Sequence, residues 1–265
     1  MSDQDLLARV CATNFGYLGL GNEVFEAHGA TFIRNRQTAR RHDANTVGLI
    51  RSAGANAIDA LFERVETEFA GLGHRRFQVD PLTPPGVEAC LVVNGYEPVE
   101  VGLLCLLLEG EPRATPRPVE IRQAVSVADW QAYRHLDELW WRESGTGYFG
   151  PYDPDLHDEL LLNLRVKAPQ VRSWLAVVDG EARAFLSCWP GTNGVGMVED
   201  LFCHPDYRHR GLATALIARC VADARGRGAG PVLINADAKD TPKQMYATLG
   251  FRPLYVGRSY LKKLG

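Results

Sequence analysis

The sequence predicts an α/β (α+β) protein that uses one structural plan twice. In the second half, segments of strand and helix period follow one another in the order β-α-α-β-β-β-α-β-α-β. A helix–strand–helix–strand series with matching turn residues occurs in both halves. The composition, 46% hydrophobic and 23% charged over 265 residues, is that of a folded chain with room for one large or two ordinary domains.

The first half carries its clearest helix in "AIDALFERVETEFAGLG", where Ile58, Leu61, Phe62, Val65 and Phe69 fall on one face. "RRFQVDP" then reads as a strand, "TPPGVEACLVVNG" as a helix and "YEPVEVGLLCLLL" as a strand. At 109–118 the text changes to "EGEPRATPRP", with three prolines in ten residues flanked by charge. The expected division is therefore a domain over 1–112, a linker over 113–118 and a second domain over 119–265.

The second half opens with the strand "VEIRQAV" and the helix "VADWQAYRHLDELWWRE", which has Asp129 near its start. A loop rich in Gly, Tyr, Phe and Pro (144–154) leads to the helix "DLHDELLLNLRV". "RSWLAVVDGEARAFLSCWPG" is a hairpin about Asp179-Gly180, and Asn193-Gly194 marks a second turn before "VGMVEDLFCHPDY". The helix "ALIARCVADARGRG", the strand "PVLINAD", the short helix "TPKQMYATLG" and the strand "FRPLYVGRSYL" complete it. Thr83-Pro84 is echoed by Thr241-Pro242, and Gly95-Tyr96-Glu97-Pro98 by Gly250-Phe251-Arg252-Pro253. Matched punctuation in the same element order indicates a tandem duplication.

Net charge is −3 with no long basic run, so the chain is not built to neutralise a nucleic-acid backbone. The densest basic stretch, "RNRQTARRH" at 34–42, reads as a solvated loop. The apolar run "VGLLCLLL" is too short to cross a bilayer. Six cysteines, at 11, 90, 105, 188, 203 and 220, form no Cys-x-x-Cys pair and several lie in apolar segments. The expectation is a cytoplasmic protein with no metal site and no signal peptide, since "MSDQDLLARV" lacks an apolar core.

Chemistry concentrates in "YRHRGLATALIARC" (207–220). Arg208, His209 and Arg210 stand before Gly211, where a helix begins. A helix start already carries partial positive charge and unpaired N–H groups, so cations there are unfavourable unless an anion joins them.

With "CHPDYRHRGLA" after its fourth strand and "MYATLGF" after its fifth, the second half resembles the GCN5-related N-acetyltransferase (GNAT) superfamily. The signature Arg/Gln-x-x-Gly-x-Gly/Ala is met from Arg208 to Ala213. The resemblance implies two domains, each a mixed, mostly antiparallel sheet flanked by helices, and acetyl-CoA as co-substrate. It implies that Arg208, His209, Arg210, Gly211, Leu212, Ala213 and Thr214 wrap the pyrophosphate of coenzyme A. The backbone of Phe202 and Cys203 would bond the pantetheine arm, the Cys203 thiol only packing.

The same resemblance makes Tyr246 the acid that protonates the departing thiolate and Glu199 the acceptor of the amine proton. Asp200 and His204 stay open as alternative bases. Glu199 and Asp200, adjacent in a strand, would face opposite ways. The acceptor would be the amine of a small molecule or peptide; the 144–154 loop, Trp140-Trp141 and Trp189 are candidate pocket residues, with core packing the plainer role for the tryptophans. Lys239 stands where many members carry an asparagine contacting the cofactor.

The first copy departs further. Leu91 replaces the tyrosine, and "RSAGAN" (51–56) puts Asn56 where a small residue belongs, so this copy reads as degenerate. Transfer of a larger acyl group, or a non-catalytic acyl-CoA-binding module, are the rival functions. Neither nucleic acid nor membrane is expected as partner, and a homo-oligomer stays open.

Overall fold

The computed structural model describes residues 2–99, 102–113, 118–144, 150–239 and 242–264. They form two compact units. The first comprises Met1–Leu106, Asn235–Lys243 and Pro253–Gly265; the second comprises Leu107–Ile234 and Gln244–Arg252. The chain thus passes between units several times, where the sequence suggested one crossing at 113–118. Residues 114–117 of that expected linker lie outside the described residues.

The first unit starts with α1 (Asp3–Gly19), whose cap is the Ser2 hydroxyl accepting from the Asp5 N–H at 3.2 Å. A hairpin follows, β1 (Glu23–Ala27) and β2 (Ala30–Arg34), closed by His28 and Gly29, both at positive φ. After it come β3 (Thr46–Gly48), α2 (Ala55–Glu68), β4 (His74–Val79), α3 (Pro85–Val93), β5 (Glu97–Pro98) and β6 (Leu103–Leu108). Ile58, Leu61, Val65 and Phe69 of the predicted helix face are buried, and Phe62 packs half-buried against Phe77, their ring centres 5.2 Å apart.

The basic stretch 34–42 is not a solvated loop throughout. Asn45 is fully buried and its amide donates to the carbonyls of Asn35, Thr38 and Arg41 at 3.1–3.2 Å. Those bonds wind the loop around it and draw Arg41 inside, where its guanidinium meets Asp43 at 2.9 Å.

The second unit holds β7 (Glu120–Gln123), α4 (Val127–Ser144), α5 (Pro154–Lys167), β8 (Arg172–Val178), β9 (Glu181–Trp189) and β10 (Gly196–Cys203). A 3-10 turn (Pro205–Tyr207) and α6 (Leu212–Gly226) follow, with β11 (Val232–Asp237) as far as Ile234 and α7 (Pro242–Thr248) from Gln244. This is the predicted order. Its sheet runs β11-β10-β9-β8-β7, with β10 and β11 parallel and the other pairs antiparallel. Asp179-Gly180 closes the β8–β9 hairpin with both residues at positive φ, as that pair predicts. Ser126 caps α4, its hydroxyl accepting from the Asp129 N–H at 3.2 Å while the Asp129 carboxylate accepts in return from the Ser126 N–H at 3.0 Å. One face of the sheet packs Tyr133 and Leu136 of α4 on Leu175, Phe185 and Phe202.

The last strand, β12 (Arg252–Lys263), pairs antiparallel with β4 of the first unit, from Arg258↔Val79 to Lys263↔His74. Helix α3 is tied to the same strand, since Glu88 accepts from Arg258 and from the Tyr260 hydroxyl at 2.5–2.9 Å. A strand from the end of the chain therefore completes a sheet begun near its start.

The two halves share helix boundaries. Gly54 and Gly211 precede α2 and α6 with φ of +90° and +88°. At the ends of α3 and α7, Tyr96 N–H donates to Leu91 O and Phe251 N–H to Tyr246 O, each at 3.0 Å, while Gly95 and Gly250 sit at positive φ. That is the Schellman termination, and it explains why Gly-aromatic recurs in the sequence.

His74 lies against His42, ring centres 4.2 Å apart, and is 2% exposed. Burial first, then the His42 charge, lower its pKa from 6.5 to about 4. The unfolded chain therefore binds a proton that the folded chain refuses. Stability from this site is complete above pH 6.5 and falls as pH drops toward 4, by up to about 3 kcal/mol. Denaturant unfolding at pH 7 and 4.5 should show the loss, and His74→Phe should flatten it; an equal slope in the variant would refute the assignment.

Candidate active site

The site is organised by an irregularity in β10. Glu199 pairs with Ser187 and Phe202 with Phe185, so Asp200 and Leu201 together stand opposite the single residue Leu186. This is a β-bulge, and Asp200 takes a φ of +62° in it. The parallel ladder of β10 with β11 ends at Val198↔Ile234, whereas its ladder with β9 runs on to Cys203↔Ala184. Beyond Val198 the edge of β10 on the β11 side is thus free of that ladder, the condition for an extended ligand to bond it as a strand would.

The register places Glu199 on the α4 face. Its partner Ser187, two residues along β9 from the Phe185 that packs under α4, lies 2.9 Å from the Ser173 oxygen. Tyr133 is buried on α4, and burial, then the charges of Asp200 and Asp137, hold its phenol well above its ordinary pKa. The Asp200 charge is thus felt at the Tyr133 hydroxyl.

Beyond β10 the chain turns into α6. His204 caps the 3-10 turn, its Nδ1 accepting from the Asp206 N–H at 3.3 Å. His209 and Gly211 both take left-handed φ, +61° and +88°. Left-handed residues in a turn gather successive N–H groups into a concavity that suits an anion, and the start of a helix adds its own N–H groups and dipole. Leu212 is buried, so only its backbone N–H is on offer; Ala213 and Thr214 are half-buried in the first turn.

The basic side chains have partners within the protein. Arg208 donates to the Cys203 carbonyl at 3.2 Å and pairs with Glu143 at 2.5 Å. Arg210 lies over the Tyr207 ring, 4.7 Å from its centre, and Arg183 lies 4.5 Å from the same centre. Phe202 is core, with Trp140 of α4 stacked on it at 6.4 Å. Burial pushes the Cys203 thiol up to about 11 against the opposing Arg208 charge, so it is protonated at neutral pH.

Tyr246 is on α7, buried to 4% exposure, with Phe251 at 6.2 Å between ring centres. Leu91, its counterpart in the first half, is fully buried. Lys239 closes the turn after β11, its N–H donating to Asp237 at 2.7 Å, while Asp240 and Thr241 lie outside the described residues. Trp141 is buried and Trp140 is packed on Phe202, which leaves the 144–154 loop as the aromatic-rich candidate wall; its residues 145–149 lie outside the described residues. Among the described residues, no group of three or more His, Cys, Asp or Glu is placed to hold a metal ion, and no helix is long and apolar enough to cross a membrane.

Residues 130–251 match the sequence model of the acetyltransferase (GNAT) family. This part of the chain is a GNAT domain. Solved structures share the fold over nearly the whole chain. A conserved protein of unknown function from Staphylococcus epidermidis has a TM-score of 0.70 at 15% identity, covering 95% of this chain and 98% of its own. A GCN5-related N-acetyltransferase from Kribbella flavida has a TM-score of 0.67 at 17% identity, covering 98% and 96%. A tandem GNAT protein of the clavulanic acid biosynthesis pathway has a TM-score of 0.53 at 13% identity, covering 79% and 68%. No curated protein matches the chain.

What the sequence missed here is the bulge and Tyr133. Neither has a local signature, because an aspartate in an otherwise apolar strand is compatible with regular pairing. Gly211, by contrast, was legible. Gly211→Ala should lower stability by about 1–2 kcal/mol, since a Cβ is disfavoured at this φ. Urea unfolding checks it, and an unchanged midpoint would remove the strain argument.

Proposed function

We propose that the chain transfers an acetyl group from acetyl-CoA to the amine of a small molecule or peptide, in a direct ternary complex. The observation that carries this is the end of the β10–β11 ladder at Val198, followed by the left-handed turn at His209 and Gly211. An extended arm with a pyrophosphate at one end fits that combination: the strand edge suits the pantetheine amides, and the turn suits the phosphates. The bound thioester supplies the activated acyl group. Phe202 and Cys203 would hold the arm through their backbone, and residues 208–214 the pyrophosphate, chiefly through N–H groups.

The protein's own part is proton management. An alkylamine near pKa 10.4 is almost wholly protonated at pH 7 and must lose a proton to attack. Glu199, on the α4 face opposite Ser187, is the proposed acceptor of that proton, with the Asp200 charge nearby. Tyr246 is the proposed donor of a proton to the departing sulfur. The first copy, with Leu91 in place of the phenol, is read as a degenerate domain without turnover of its own. One cofactor per chain is the consequence.

Coenzyme A should raise the melting temperature, and calorimetry should count one site per chain. No shift at millimolar coenzyme A would overturn the assignment. Turnover is read as free thiol released from acetyl-CoA with a panel of amines, which also separates a transferase from a module that only binds. Tyr246→Phe should leave cofactor affinity nearly unchanged and lower turnover by about 10²-fold. Full activity in that variant would make the phenol structural. Glu199→Gln should lose most near neutral pH and partly recover at high pH, where more free amine exists; an unaltered pH profile would move the role to Asp200.

A further inference from the structure

A buried polar chain ties the segment before α5 to α4. The His157 imidazole, with no exposed surface, lies between Asp137 of α4 and Tyr152. Its Nε2 is 2.9 Å from an Asp137 oxygen and its Nδ1 is 3.0 Å from the Tyr152 hydroxyl. Trp141 closes over the pair edge-on, its ring centre 5.8 Å from His157 and 5.4 Å from Tyr152. Its indole N–H donates to the Gly150 carbonyl at 3.0 Å. Arg142, held by Glu138 at 2.8 Å, lies over the outer part of the clasp, 4.1 Å from the Tyr152 ring centre. Residues 150, 152 and 157 are thus each fastened to α4.

A hydrophobic core could hold two helices together at least as well. Buried ionisable groups are weak stabilisers, and their best-attested use is to select one register among several. Register matters here because of what else α4 carries. One turn before Asp137 stands Tyr133, its ring centre 4.1 Å from that of Phe185, which is two residues along β9 from the Ser187 that pairs with Glu199. Leu136 is buried against the sheet, and Trp140, one turn further on, covers Phe202. An amine that gives its proton to Glu199 must approach on the α4 face, and the 150–153 segment is fastened to that same helix.

We propose that His157 is a positioning residue for the acceptor: through Asp137 and Tyr152 it fixes the 150–153 segment against α4 and so sets affinity for the amine. The proposal rests on the acyl-transfer reading. Coenzyme A, held at the β10 edge and the start of α6, should not sense the clasp.

Two variants test it. Tyr152→Phe removes one hydroxyl and keeps the ring; His157→Gln retains a donor toward Asp137 and loses the link to Tyr152. With acetyl-CoA and the fastest amine of the panel, each should raise the amine KM about tenfold and change kcat by less than about threefold. Coenzyme A affinity by calorimetry should be unchanged, and the double variant should be no worse than the more damaging single, because both cut the same link. Hydrogen exchange at 150–153 should quicken in Tyr152→Phe, which carries the test if His157→Gln does not fold. An unchanged amine KM with a lowered melting temperature would make the chain merely structural and overturn the proposal. A matching loss of coenzyme A affinity would overturn it too. If wild type releases thiol with no amine, the transferase reading fails and the acceptor role falls with it. Exchange at 150–153 then judges the clasp alone, and unaltered protection would overturn that as well.

Discussion

In β10, Asp200 and Leu201 share the space opposite Leu186, and Asp200 adopts a left-handed φ of +62° to make this possible. Aspartate tolerates that region better than most side chains, at a cost on the order of 1–2 kcal/mol. The consequences are structural first. Glu199 and Phe202 are three apart, so regular alternation would send them to opposite faces. With one extra residue between them, Glu199 stays opposite Ser187 and Phe202 returns to the same face to meet Phe185 and Trp140. A core cluster and a candidate catalytic carboxylate therefore depend on the same irregularity.

The electrostatics of the turn after β10 differ from what a row of cations suggests. Arg208 is paired with Glu143, both side chains roughly two-fifths exposed, at 40% and 37%. Pairs this open are worth up to about 1 kcal/mol, little enough for a phosphate to compete. Arg210 is stacked on Tyr207. In the proposed reading an anion would be held chiefly by the backbone, through the left-handed residues His209 and Gly211 and the first turn of α6, which need no side chain to move.

The two halves share backbone devices and differ in the side chains these carry. Both use a positive-φ glycine ahead of a long helix and a Schellman glycine after a short one. At the carbonyl that accepts the Schellman bond, one half has Leu91 and the other Tyr246, both buried. The backbone requirement is the same at each place, and the phenol is the chemical difference.

The sequence alone determined what local physics governs. Helix faces follow from apolar spacing, as at Ile58, Leu61 and Val65, and hairpin closure from Asp179-Gly180. Helix ends follow from Gly95, Gly211 and Gly250, because positive φ is open to glycine and strained for most other residues. The N-terminal elements were harder to see, since α1 is announced only by Ser2 and the first hairpin turns on His28-Gly29, a less usual pair. Tertiary structure alone decided the partner of β12, the bulge at Asp200, the pairing of Arg208 with Glu143 and the burial of His157 between Asp137 and Tyr152. Each joins residues distant in the chain, or depends on which neighbour a strand finds. Such choices are set by the summed packing and hydrogen bonding of the whole fold, and no short stretch of sequence contains them.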